Sequence, residues 1–133
     1  VCLKFTDARI IDGAADGFKV WSGNDNEIFA TMATGGYGIV SVAGNIISGQ
    51  IQKMIGLLLE GDVEAAAAEH LRLLPIFNAL FFITNPIPVR YAMNRSGFDV
   101  GPPRLPMVPE AGELEAFSKR FDPIMDQYSI DLA

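Results

Sequence analysis

Few residues in this chain can do chemistry, and what matters is where each one falls. Lys4 closes the apolar run Val1-Cys2-Leu3 and is followed by Phe5. Ser22-Gly23-Asn24-Asp25 closes Phe18-Lys19-Val20-Trp21, and Ala43-Gly44-Asn45 closes Gly38-Ile39-Val40-Ser41-Val42. Runs this short and this rich in β-branched and aromatic residues predict buried strands of a parallel sheet. Ligands of such sheets sit at the carboxyl ends of the strands, where these polar groups lie. Burial there disfavours a lysine ammonium, and the free amine can attack a carbonyl to form a Schiff base. The plainer reading is a solvated surface lysine, the commonest state of this residue.

The other candidates carry the same double reading. Gly23 permits close backbone approach, and the turn amides around it can hold an anion or a hydroxyl. The segment is equally a strand-to-helix turn, with Asn24 or Asp25 as helix cap. Gly38 to Val42 reads mainly as core, with its strand-end backbone available to a ligand. His70, the only histidine, lies in an alanine-rich, acidic helix and reads as structural or exposed. Trp21 and the aromatic cluster from Phe77 to Phe82 read as core. Cys2 is the only cysteine, so no internal disulfide and no cysteine-based metal site is expected. These counts remove most zinc chemistry and every Ser-His or Cys-His nucleophile that does not use His70.

The elements that must position these residues follow from periodicity and punctuation. Thr6 to Gly17 has room for two helical turns. Ile28, Phe29, Met32 and Ala33 fit one helical face, stopped by Thr34-Gly35-Gly36. Ile47, Ile51, Met54, Ile55 and Leu58 predict an amphipathic helix closed by Gly61. Asp62 can cap the next helix, which continues through Leu71, Leu74, Phe77 and Phe81, with a kink expected at Pro75. A short helix is expected from Ile87 to about Ser96, ended by Gly97. Phe98 to Pro109 should be an irregular loop, and Leu114, Phe117, Phe121 and Ile124 mark a last helix. The order is β-α-β-α-β-α and then three helices, with right-handed crossovers making all three strands parallel.

Composition sets the outer limits. The 133 residues are half hydrophobic and one-fifth charged (20%), a globular balance. A net charge of −6 with ten scattered basic residues argues against nucleic acid as a partner. The most apolar window, Leu73 to Ile83, is too short to cross a bilayer, so no membrane partner is expected, and the single cysteine makes a reducing, cytoplasmic location the default expectation. The chain opens on Val1 inside a strand-like run, and three strands would leave two unpaired edges. The expectation is therefore the C-terminal part of something longer, self-associating if isolated.

Taken together, Val1-Cys2-Leu3-Lys4-Phe5-Thr6, Ser22-Gly23-Asn24-Asp25, Gly38 to Asn45, Asn85-Pro86-Ile87-Pro88-Val89-Arg90 and Arg104-Leu105-Pro106-Met107-Val108-Pro109 resemble one family. It is the dihydrodipicolinate synthase / N-acetylneuraminate lyase family of class I (β/α)8 aldolases. The resemblance implies the C-terminal part of a TIM barrel, strands six to eight with their helices over residues 1–60. A three-helix C-terminal extension of the same domain follows over 61–133. It implies that Lys4 forms an imine with pyruvate, that Val40 contacts pyruvate through its backbone, and that Gly23 lies near the second substrate. No cofactor beyond that covalent lysine-pyruvate imine and no metal is implied. The partners implied are a 2-oxo acid, an aldehyde and further copies of the chain in a homotetramer.

Within the family, Gly38 to Val42 and Asn85 to Pro88 resemble the synthase branch, which condenses pyruvate with aspartate semialdehyde in lysine biosynthesis. Phe5-Thr6 is similar to the lyases, Arg90 stands where Lys is usual, and the Lys4 to Gly23 connection is short for the family. The alternatives are an N-acetylneuraminate lyase, a 2-keto-3-deoxy sugar-acid aldolase, or a truncated barrel without catalysis. The family's paired threonines, proton-relaying tyrosine and substrate-binding arginine have no counterpart in these residues. The 133 residues alone are therefore expected to show no useful turnover.

Overall fold

A computed structural model describes residues 6–130, with side chains from Ala8 onward. Lys4 and the first predicted strand lie outside the described residues. Helix α1 (Thr6–Gly13) is eight residues long, the two turns that the segment allows. Strands β1 (Trp21–Ser22) and β2 (Gly38–Ile39) pair in parallel, Trp21 opposite Gly38 and Ser22 opposite Ile39. Between them a 3-10 turn (Asp25–Glu27) leads into α2 (Ile28–Ala33). Four helices follow: α3 (Gly44–Leu59), α4 (Val63–Ala79), α5 (Ile87–Arg95) and α6 (Glu113–Met125). Among the described residues there is no strand after Ile39.

The helix ends obey the local chemistry. Gly61, at φ +86°, lets its own N–H reach the Leu58 carbonyl (3.1 Å) while Asp62 N–H reaches that of Leu57 (2.9 Å). This left-handed closure satisfies carbonyls the helix would otherwise strand. The same pair of bonds ends α5 at Gly97, from Gly97 to Asn94 and from Phe98 to Met93. The Asp62 carboxylate then accepts from Ala65 N–H at 3.0 Å, capping α4. Helix α4 runs unbroken through Pro75; the carbonyl four residues back belongs to Leu71, an exposed position where water can take the freed acceptor.

The core lies between the helices. Leu73, Ile76 and Phe77 of α4, with Leu80 as its C-cap, follow the i, i+3, i+4, i+7 pattern and are all buried. They meet Ile46, Ile47, Ile51 and Met54 of α3 and Phe121 and Met125 of α6 in one cluster. Phe117 and Phe121 stack at 4.8 Å, with Tyr91 edge-on to both. A polar clasp fastens the outside. Arg72 binds Glu69 and donates to Gln50 Oε1 at 2.8 Å, while Gln50 donates to the Ser129 carbonyl at 2.6 Å. Tyr128 donates its hydroxyl to the Arg72 carbonyl at 2.7 Å, drawing the segment after α6 onto α3 and α4.

The structure departs from the sequence reading at the sheet. Trp21 and Phe18, expected in the core, are 51% and 68% exposed. Among the described residues the sheet is two strands wide; Phe18 precedes it, and the Trp21 ring packs only against Gly38 and Tyr37 at its edge. Phe81 is also exposed, because α4 ends at Ala79 and the chain leaves the helical face before reaching it. In α3, Ile47 steps out of helical geometry (φ −138°, ψ 38°), separating a first turn from the longer helix behind it.

Candidate functional site

The two strand tips converge. Val40 N–H donates to the Ser22 carbonyl at 2.9 Å, so Val40 is tied to the residue immediately before Gly23. Ser22 is buried, and its Oγ accepts from Asn24 N–H at 3.2 Å, which tightens the turn around Gly23. Gly38 is a glycine for steric reasons: a Cβ there would meet the Trp21 ring at 2.7 Å. That close approach lets the strands lie flush at their pairing point.

Gly23 itself is exposed, and the Val40 side chain is 71% exposed. Among the described residues, no acceptor reaches the Gly23 N–H and no donor reaches the Val40 carbonyl. Backbone groups are rarely left unpaired away from water. One donor and one acceptor are thus available at neighbouring strand ends for solvent, ligand or a further strand.

Asp25 is the residue that sequence reasoning misread. It was expected to cap the helix that follows it, but neither Asn24 nor Glu27 makes a side-chain capping bond, and Asn24 instead donates to Glu27 at 2.8 Å. The Asp25 side chain, 1% exposed, crosses to the turn after β2. There it accepts from the Ser41 hydroxyl and, at 3.1 Å each, from the N–H groups of Val42 and Ala43. Ser41 Oγ in turn accepts from Gly44 N–H at 2.7 Å. The Val42 and Ala43 amides immediately precede α3 and that of Gly44 opens it, so Asp25 and Ser41 together satisfy the backbone donors at this helix entry, Asp25 from a different element. The available signal was Ser41, a second short polar side chain at the end of an apolar run.

His70 packs behind this layer as a structural residue. Its ring stacks on Phe29 (5.7 Å) and leans on Phe77 (6.0 Å), joining α2 to α4. Burial among these rings holds its pKa below the ordinary histidine value, and a main-chain bond at Asn26 counteracts this only in part. The unfolded chain takes up a proton at about pH 6.5, where the folded ring resists it. Stability should therefore decline as pH falls through about 6.5 and level off below the folded value. Denaturant melts at a series of pH values measure this, and His70→Phe should flatten the profile across that window.

Among the described residues, no group of three or more His, Cys, Asp or Glu side chains is gathered to hold a metal ion. None of their helices is long and apolar enough to cross a membrane.

Comparison with known proteins extends the picture. Residues 5–120 match the dihydrodipicolinate synthetase family. The chain is 47% identical over 108 residues to a 4-hydroxy-tetrahydrodipicolinate synthase of Symbiobacterium thermophilum, covering 81% of this chain and 37% of that protein. It is 44% identical over 125 residues to the protein of the same name from Dehalococcoides mccartyi, covering 94% of this chain and 41% of that one. The crystal structure of a dihydrodipicolinate synthase from Bacillus anthracis superposes with a TM-score of 0.83 at 35% identity, over 92% of this chain and 41% of the other. The chain thus spans about two-fifths of the length of the relatives it matches. The parallel strand pair and the helices after it are the C-terminal part of a (β/α)8 barrel with its helical extension. By fold, by motif order and by the extent of the match, this chain belongs to the dihydrodipicolinate synthetase family.

Proposed function

We propose that this chain supplies part of the active site of a 4-hydroxy-tetrahydrodipicolinate synthase, which condenses pyruvate with aspartate semialdehyde. The observation that carries this reading is the 44–47% identity to synthases of that name. Lys4 is the nucleophile. Its free amine adds to the keto carbon of pyruvate, water leaves, and an imine forms. The protonated imine draws electrons from the neighbouring methyl group, which loses a proton to give an enamine. The enamine carbon attacks the aldehyde carbon of the second substrate, and the aldehyde oxygen takes up a proton. Attack on the imine carbon by water, or by the second substrate's own amine, then frees the lysine.

In this scheme the electron sink is the imine itself, so the reaction requires no resident cofactor. The Val40 backbone faces pyruvate, and Gly23 leaves room for the second substrate. The setting is lysine biosynthesis in the cytoplasm, in a homotetramer.

Borohydride reduction in the presence of pyruvate tests the assignment in the full-length polypeptide. A stable adduct should map to the peptide carrying Lys4. An unmodified Lys4 in protein that still turns over would defeat the proposal.

A further inference from the structure

We infer that Asp25, with Ser41, is the positioning residue that fixes the Val40 backbone at the mouth of the barrel and locks the tip of β2 to the loop carrying Gly23. The inference rests on the reading of Gly23 and Val40 given under Proposed function.

Val40 is followed by a hydroxyl and two amides, at residues 41, 42 and 43, that all bond to one carboxylate. On its other side, Val40 N–H is bonded to Ser22. The peptide bearing the Val40 carbonyl is therefore held at both ends, while the carbonyl itself has no partner among the described residues. A peptide fixed on both sides and open in the middle is preorganised for a ligand, since no reorientation is needed when the ligand arrives.

Asp25 lies two residues after Gly23, on the loop after β1, and its bonds span 16 to 18 residues of sequence. One buried carboxylate thus sets the distance between the two strand tips proposed to hold the two substrates. A surface cap would serve α3 equally well, yet this carboxylate is almost wholly buried and reaches across from the adjacent β-α unit. The amides of Val42 and Ala43, just ahead of α3, are thereby filled by Asp25, and that of Gly44 by Ser41 Oγ. A substrate carboxylate cannot use them, and it must be bound elsewhere in the barrel.

The test uses Asp25→Ala, Asp25→Asn and Ser41→Ala in the full-length polypeptide, each assayed for kcat, for the pyruvate KM and for borohydride trapping on Lys4. Asp25→Ala should lower kcat about 100-fold, the scale of a small misplacement at a reacting centre. The lysine should still be trapped by pyruvate in that variant. Asp25→Asn keeps a side-chain oxygen for the two amides and should restore most of the rate. If Asp25→Ala does not fold, Ser41→Ala decides, because it keeps the carboxylate and its two amide bonds and removes only the two bonds of the Ser41 hydroxyl: a fall in kcat of about tenfold with a raised pyruvate KM supports the inference. Wild-type kinetics in folded Asp25→Ala, or in Ser41→Ala where the first does not fold, would overturn it. Failure of the unsubstituted enzyme to form a Lys4 adduct would instead strike at the proposed function.

Discussion

Lys4→Arg in the full-length polypeptide should abolish turnover, with kcat falling on the order of 10⁴-fold or more, the scale of losing a covalent nucleophile. Arginine keeps the positive charge and most of the length of the side chain. It cannot give up its proton near neutral pH, so it offers no amine lone pair to a keto carbon. The substitution therefore removes the covalent step while leaving intact any attraction between a cation and the carboxylate of a 2-oxo acid. Steady-state kinetics with pyruvate and aspartate semialdehyde measures the loss, and mass spectrometry after borohydride should find no adduct. A variant with near-normal turnover would show that the imine forms elsewhere, or that no imine is involved. A barrel serving only as a scaffold would be indifferent to the change.

The largest effect on stability is expected at Phe77. Its ring is 1% exposed and lies in the cluster where α3, α4 and α6 meet. Phe77→Ala removes the ring and leaves a cavity that the surrounding helices cannot fully close, which costs about 3–5 kcal/mol. Typical domains have only about 5–15 kcal/mol in total, so the midpoint of denaturation should move far down in urea. The same substitution removes one of the two rings that confine His70. The pH dependence expected for the parent should then weaken, because a ring open to water titrates closer to its ordinary value. A midpoint unchanged by Phe77→Ala would contradict the packing described here.

What could be read from the sequence was mostly punctuation and period. Gly61, Asp62 and Gly97 announce a stop, a start and a stop, since each uses chemistry local to a few residues. The four-residue step from Phe117 to Phe121 places α6 against the core in the same way, although Met125, which the pattern did not mark, is buried and Leu114, which it did, is 37% exposed. Long-range relations were harder. Asp25 looked like the cap of its own helix because a short polar residue before an apolar run usually is one. Only the fold reveals that the donors it serves lie 16 or more residues away. Trp21 looked buried because apolar strand runs generally are. Whether a strand face is covered depends on elements that the run itself does not encode. Ile47 gave no warning at all: its apolar position fits the helical pattern, while its backbone departs from it. The resemblance implies substrate-binding roles for Gly23 and Val40, and the two residues lie at adjacent strand ends. Lys4 lies outside the described residues, so its place among them is a proposal.

Trp21 is the only tryptophan in the chain, and half of its surface faces solvent beside Tyr37, at 5.0 Å. The indole therefore serves as a built-in fluorophore at the rim of the strand pair. Its emission reports the polarity around one known ring, with a tyrosine close enough to pass excitation energy to it. Any subunit, strand or small molecule that settles on this edge of the sheet will shift that colour toward the blue, without a label having to be attached.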